Sequence, residues 1–203
     1  MNDELFLILH GWGGNKPAHW QEHLYKTLTD AGKTVHYPKM PEPTAPNKEA
    51  WLAKLAATFA EIGDTNLTVV CHSLGAITWL HYVAQSSGKL AERVLLVAPP
   101  YVIREIPPTD APPDANEFFP PTLDAEAVKR AATETHFIAS DSDDYATFEQ
   151  TKAYSDRVNC PIHLLPGAGH ISPYWGYGQW EWVEKWCLRE AELPPVPRPA
   201  DAT

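Results

Sequence analysis

The sequence predicts an α/β protein built on a sheet of about six mostly parallel strands, with helices on both faces. Two observations carry that expectation. Short apolar runs alternate with longer segments of helical periodicity along most of the chain. The runs are nearly continuous in apolar residues, as strands buried on both faces require. Strand–helix alternation then implies parallel pairing, with each helix as the crossover between strands.

The strand expectations, in order, are LFLIL (5–9), TVHYP (34–38), LTVV (67–70), RVLLVA (93–98), THFIAS (135–140) and PIHLL (161–165). Helices are expected near 18–31, 48–62, 74–87, 124–132, 146–156 and 178–190. In the second of these, Trp51, Leu52, Leu55, Ala56, Phe59 and Ile62 recur at helical spacing and predict one buried face. Two segments stand outside the alternation. Residues 99–123 are proline-rich and irregular, and fall where a cover over a site or a plain surface excursion would. The tail ELPPVPRPADAT (192–203) is proline-rich and polar and is expected to be disordered. A single domain over 1–190, with the tail from 191 onward, is therefore expected.

Composition narrows the function. The chain has 203 residues, 44% hydrophobic and 21% charged, the balance of an ordinary globular protein. A net charge of -10 argues against nucleic-acid binding and against an anionic membrane surface. The opening MNDELFLILHGW is acidic where a signal peptide would be basic, and no stretch nears the roughly 20 apolar residues that span a bilayer. Cys71, Cys160 and Cys187 are odd in number and share no metal-ligand spacing, so free thiols and a cytoplasmic location are expected.

Chemistry concentrates in LTVVCHSLGAITWLHYVA (67–84). A strand ends, Ser73 follows, and a helix begins, with Gly75 two positions on. A nucleophile needs an oxygen approachable from solvent at the carboxyl end of the sheet, and a tight strand-to-helix turn supplies it. The pattern is the G-x-S-x-G elbow with Cys71 in place of the first glycine. The bland alternative is that Ser73 only N-caps the helix.

A serine hydroxyl needs a base, and the base needs an acid to hold its tautomer. In a hydrolase elbow the chain order is Ser, acid, His. His170, in the glycine-rich LPGAGHIS after the sixth strand, holds the place of the base. Asp141, Asp143 and Asp144 follow the fifth strand, and spacing does not choose among them. The two oxyanion donors are expected to be the backbone N–H groups of Leu74, next to the nucleophile, and Trp12, in the HGWGGN turn after the first strand. A phosphate-cradling loop is excluded there, because neither G-x-x-x-x-G-K-[ST] nor G-x-G-x-x-G is present. Trp12, His10, Trp20, Tyr101, Phe118, Phe119, Tyr174 and Trp175 are candidate pocket residues for the substrate.

These stretches together, HGWGGNKPAHWQEHL, YPKMPEP, CHSLGAITWLHYVA, ASDSDDYATFEQ and LPGAGHIS, resemble the small serine hydrolases of the retinoblastoma-binding-protein-nine-like, YdeN-type group, over roughly residues 4–187. The resemblance implies an abbreviated α/β-hydrolase sheet in the order 2-1-3-4-5-6 and a Ser–Asp–His triad. It assigns the acid to Asp143, since Ser140, Asp143 and Tyr145 keep the group's S-x-x-D-x-Y spacing. Cys71 and Asp144 stand where the group has glycine and proline. The expected activity is hydrolysis of a small carboxylic ester without metal or organic cofactor. Acyl transfer to another nucleophile shares the same acyl-enzyme. A scaffolding protein with a vestigial triad is the alternative from a different class.

Overall fold

In the computed structural model, which describes residues 4–14, 17–63, 66–101 and 113–197, the apolar runs become six strands. They are β1 (Leu5–Leu9), β2 (Thr34–His36), β3 (Leu67–His72), β4 (Ala91–Val97), β5 (Ala132–Ala139) and β6 (Ile162–Leu164). The helices are α1 (Trp20–Asp30), α2 (Lys48–Ile62), α3 (Leu74–Gln85), α4 (Ala125–Ala131), α5 (Phe148–Arg157) and α6 (Glu181–Cys187). Every strand pair is parallel, and the order is β2-β1-β3-β4-β5-β6, as the family resemblance implied.

Period-two alternation divides each central strand between two cores. Leu7, Leu9, Val69, Cys71, Val94 and Leu96 face α2, α3, α4 and α5. Phe6, Ile8, Val70, Leu95, Val97 and Ile138 face α1 and α6, where Trp20, Trp180, Trp182 and Trp186 fill the second layer. The sheet is thus covered on both faces, and in such sheets the site lies at the carboxyl ends of the strands.

Side chains start most helices. Asn47 accepts from the Ala50 N–H at α2, Asp124 from Ala127 at α4, and Thr147 and Gln150 form a reciprocal capping box at α5. In α2 the buried face differs in one position from that expected: Ala56 is exposed and Thr58 is buried. The Thr58 hydroxyl donates to the Lys54 carbonyl, which satisfies it within the helix.

Two expectations for irregular segments meet the structure only in part. Within 99–123, residues 102–112 lie outside the described residues, and 113–118 form a 3-10 turn that ends on the buried Phe118. Of the tail, 198–203 lie outside as well. Residues 192–197 do not hang free: the Trp182 indole donates to the Glu192 carbonyl and the Trp180 indole to that of Val196. Two buried indoles needing acceptors draw this stretch onto α6.

Two outcomes follow from this packing. A methyl at position 75 would lie 2.6 Å from the Leu9 carbonyl oxygen and 2.7 Å from that of His10, and neither backbone group can rotate away. Gly75→Ala should therefore lower unfolding free energy by about 1–3 kcal/mol in urea titrations, the range for an overpacked core. A loss indistinguishable from zero would mean that α3 is free to shift. The second outcome concerns His10, His19 and His72, all buried. Burial pushes each ring's pKa below its ordinary 6.5, to about 3 for His19. A base with a depressed folded pKa binds fewer protons folded than unfolded. Its stabilising effect is whole above about pH 6.5 and shrinks as pH falls below that value. The urea midpoint should be level near pH 7.5 and decline steadily from about pH 6.5 to 5. A midpoint that stays level through that window would mean these rings charge inside the fold.

Candidate active site

Ser73 sits between β3 and α3 with φ 52° and ψ -125°. A non-glycine residue is held here at positive φ, the strain a nucleophile elbow imposes. Its N–H donates to the Val97 carbonyl at 2.9 Å, which fixes the elbow to the end of β4. The side chain makes no capping bond to α3. The hydroxyl instead lies 2.9 Å from Nε2 of His170. On the other side of that ring, Nδ1 lies 2.9 Å and 3.0 Å from the two carboxylate oxygens of Asp143. With the proton on Nδ1 and donated to Asp143, Nε2 is free to accept from the serine. The Asp143 side chain is 3% exposed and that of His170 12%, so the pair works largely out of water.

The three candidate aspartates separate cleanly. Asp143 also accepts from the Tyr145 N–H at 2.9 Å, which sets its carboxylate plane. Asp141 is a strut: its Oδ1 accepts from the Gly167 N–H at 2.8 Å. Between them, Ser140 Oγ accepts from the Ala168 N–H at 2.9 Å and Ser142 Oγ from Gly169 at 3.0 Å. Four consecutive side chains, 140 to 143, therefore hold four consecutive residues, 167 to 170. Asp144 is exposed and takes no part in that set. Spacing in the sequence left Asp141 beside Asp143 and Asp144 as a candidate acid and did not single out Ser142. The signal was the S-D-S-D run itself, four short acceptors facing a glycine-rich loop with donors to spare.

Small residues allow the elbow to close. Cys71 is fully buried two residues before the nucleophile, and burial drives its thiol pKa well up, so it is no competing nucleophile. Gly75 rests on the end of β1, as described above. Gly11 presses directly on Ser73: a methyl there would lie 2.7 Å from the serine Cβ. The turn carrying Trp12 is tied by the Gly13 N–H to the Pro43 carbonyl at 2.7 Å. Trp12 thus follows a residue in contact with the nucleophile. The Leu74 N–H opens α3, where a helix leaves its first amides without partners inside the helix.

The expected pocket residues disperse. Trp20 and Phe118 have no exposed surface. The Trp20 indole donates to the Ile171 carbonyl at 2.8 Å, and Phe118 meets Trp51 edge-on in the core. Tyr174 is 89% exposed and points into solvent. His10 is buried against Trp51 and Tyr37, at the base of a cleft beside Gly13 and Gly14. Tyr101 and Phe119 are half-buried against the core, and Trp12 is partly exposed. Trp175 covers Gly169, where a methyl would collide with its ring. Two residues were missed. Tyr145 lies over His170 at 4.5 Å between ring centroids. His72 is buried against the same ring, and its Nε2–H donates to the His170 carbonyl at 2.9 Å. Tyr145 was used in the sequence only as the last position of the S-x-x-D-x-Y spacing, and His72 carries no motif signal beyond adjacency to Ser73. Among the described residues no group of three or more His, Cys, Asp or Glu side chains is placed to hold a metal, and no helix is long and apolar enough to cross a membrane.

Solved structures share this architecture. The YdeN gene product of B. subtilis is 21% identical, with a TM-score of 0.77 over 93% of this chain and 98% of that one. A putative YdeN-like hydrolase from Pectobacterium atrosepticum is 19% identical, with a TM-score of 0.70 over 92% of this chain and 90% of its own. Est1E from Butyrivibrio proteoclasticus, solved with ferulic acid bound, is 14% identical at a TM-score of 0.66, covering 93% of this chain and 88% of that one. At such identities the likeness establishes the α/β-hydrolase fold. No curated protein matches the sequence. The family described as serine hydrolase matches residues 6–188, and the chain belongs to it.

Proposed function

We propose that this protein hydrolyses small carboxylic esters through an acyl-enzyme on Ser73. The observation that carries the reading is the continuous run of hydrogen bonds from Ser73 Oγ through His170 to Asp143, set on a strained elbow. His170 Nε2 takes the serine proton as Oγ attacks the acyl carbon. The carbonyl oxygen gains negative charge, which the Leu74 and Trp12 N–H groups receive. Asp143 stabilises the imidazolium, which then protonates the departing alcohol. A water, deprotonated by His170, releases the acid and restores the serine. The ferulic acid bound to Est1E on the same fold is consistent with an acyl group of modest size. The aromatic faces of Tyr145 and Trp12, each over a third exposed, suit such a group. A cytoplasmic location accompanies this reading, on the reduced state of Cys71, Cys160 and Cys187.

A fluorophosphonate probe should label the folded protein at Ser73 and leave Cys71 untouched. Failure of the wild type to label or to hydrolyse p-nitrophenyl esters of any chain length would remove the proposal. Ser73→Ala should retain its folded stability to within about 1 kcal/mol and lose ester turnover by several orders of magnitude. The two aspartates should separate in kcat. Asp143→Asn should lower it on the order of 10⁴-fold, through the wrong imidazole tautomer. Asp141→Asn loosens only the loop behind the base and should lower it at most about 10²-fold. The reverse ranking would move the acid to Asp141.

A further inference from the structure

His10 is the first residue beyond β1 and is 5% exposed. Its Nε2 lies 3.1 Å from the Met40 backbone nitrogen. That amide can only donate, so Nε2 carries no proton and the neutral ring holds its proton on Nδ1. Nδ1 lies 2.8 Å from the Gly11 carbonyl oxygen, to which it donates. Burial lowers the ring's pKa and keeps it in this neutral form. Trp51 and Tyr37 pack edge-on against it and fix its plane.

The Gly11 carbonyl and the Trp12 N–H belong to one peptide unit. In a trans peptide they point in opposite directions. A bond that draws the carbonyl towards His10 therefore aims the Trp12 N–H away from it. Gly13 and Gly14 both stand at positive φ, where glycine backbone rotates at little steric cost, and the Gly14 N–H reaches the same carbonyl only at 3.3 Å, longer than the His10 bond of 2.8 Å. Gly11 cannot gain rigidity from a side chain, because Ser73 occupies that space.

We propose that His10 is a positioning residue for the oxyanion hole: its Nδ1–H, assigned by the Met40 N–H, locks the Gly11–Trp12 peptide with the Trp12 N–H turned to the oxygen that becomes negative at Ser73. This rests on the ester-hydrolase reading, in which Trp12 supplies one of the two donors. His10 acts through that peptide and does not itself touch the substrate. The ring supplies both ends of the brace, an acceptor for the Met40 N–H and a donor for the Gly11 carbonyl.

Asparagine and glutamine separate the two ends. The amide of asparagine falls near Nδ1 and keeps a donor for Gly11, whereas that of glutamine falls near Nε2 and keeps only the acceptor for Met40. His10→Asn should hold kcat to within about fivefold of wild type, and His10→Gln should lower it about 10²-fold, the effect of one lost oxyanion donor, with KM nearly unchanged. A trifluoromethyl ketone, whose adduct with Ser73 carries an oxyanion, should lose affinity for the glutamine variant by the same factor as kcat/KM. Equal losses in the two variants, or a rise in KM at constant kcat, would overturn the proposal. If the glutamine variant does not fold, a folded asparagine variant that loses about 10²-fold in kcat overturns it alone. A crystal structure of His10→Gln reads the brace without turnover. A rotated Gly11–Trp12 peptide supports it and an unmoved one refutes it, even should the wild type prove inactive on esters, which would refute the ester-hydrolase reading instead.

Discussion

The first turn of α3 lies against the end of β1 because Gly75 has no side chain. With the Leu9 and His10 carbonyl oxygens within 2.7 Å of where a Cβ would stand, no other residue fits without displacing backbone. That closeness leaves the chain a single residue in which to turn from strand to helix, and Ser73 takes positive φ to do it. The same contact brings the residue after β1, Gly11, onto the serine, and with it the turn that carries Trp12. The positions of the nucleophile and of the backbone around it all descend from this one approach. The strain at Ser73 persists because its neighbours on both sides are packed, Cys71 and His72 in the sheet and Leu74 in the helix.

The parts of this molecule that were legible in the sequence are those with short-range signatures. Strands buried on both faces write themselves as unbroken apolar runs, and the elbow as a serine between a strand and a glycine. His170 could be picked out because its position after the sixth strand is topological. The acid could not be chosen by spacing, since Asp141, Asp143 and Asp144 lie within one turn of chain and differ in where the loop aims them. The loop's aim depends on Ser140 and Ser142 gripping a segment some 27 residues away, in the contacts with Ala168 and Gly169. The aromatic candidates failed for a related reason. Trp20 and Phe118 are apolar residues near strand ends, as pocket walls would be, but both are fully buried in the cores on either side of the sheet. Residues 192–197 meet the indoles of Trp180 and Trp182, which need acceptors, and proline-rich composition does not reveal that need.

Histidine is put to several uses. One ring, that of His170, faces the serine. His72 and His10 serve as rigid neutral links between backbone segments, each bonding a carbonyl of a residue in the site. His19 caps α1 by accepting from the Gln21 N–H, and its ring lies 4.9 Å from that of His72. Imidazole suits these places because a neutral ring offers one donor and one acceptor at opposite edges of a flat, packable plate. Burial lowers the pKa of both linking rings and keeps them uncharged.

The four contacts between 140–143 and 167–170 make the acid and the base a single mechanical body. Ser73 and the Gly11–Trp12 turn belong to another, the β1–α3 corner. The two bodies meet at the serine–imidazole bond, at the His72 link to the His170 carbonyl, and at the Trp20 indole on Ile171. Proton transfer is the event most sensitive to any shift across that seam. Warming should therefore detune the enzyme before it melts it. The gap between the temperature at which turnover fades and that at which helical circular dichroism is lost is then a direct gauge of the slack in that seam.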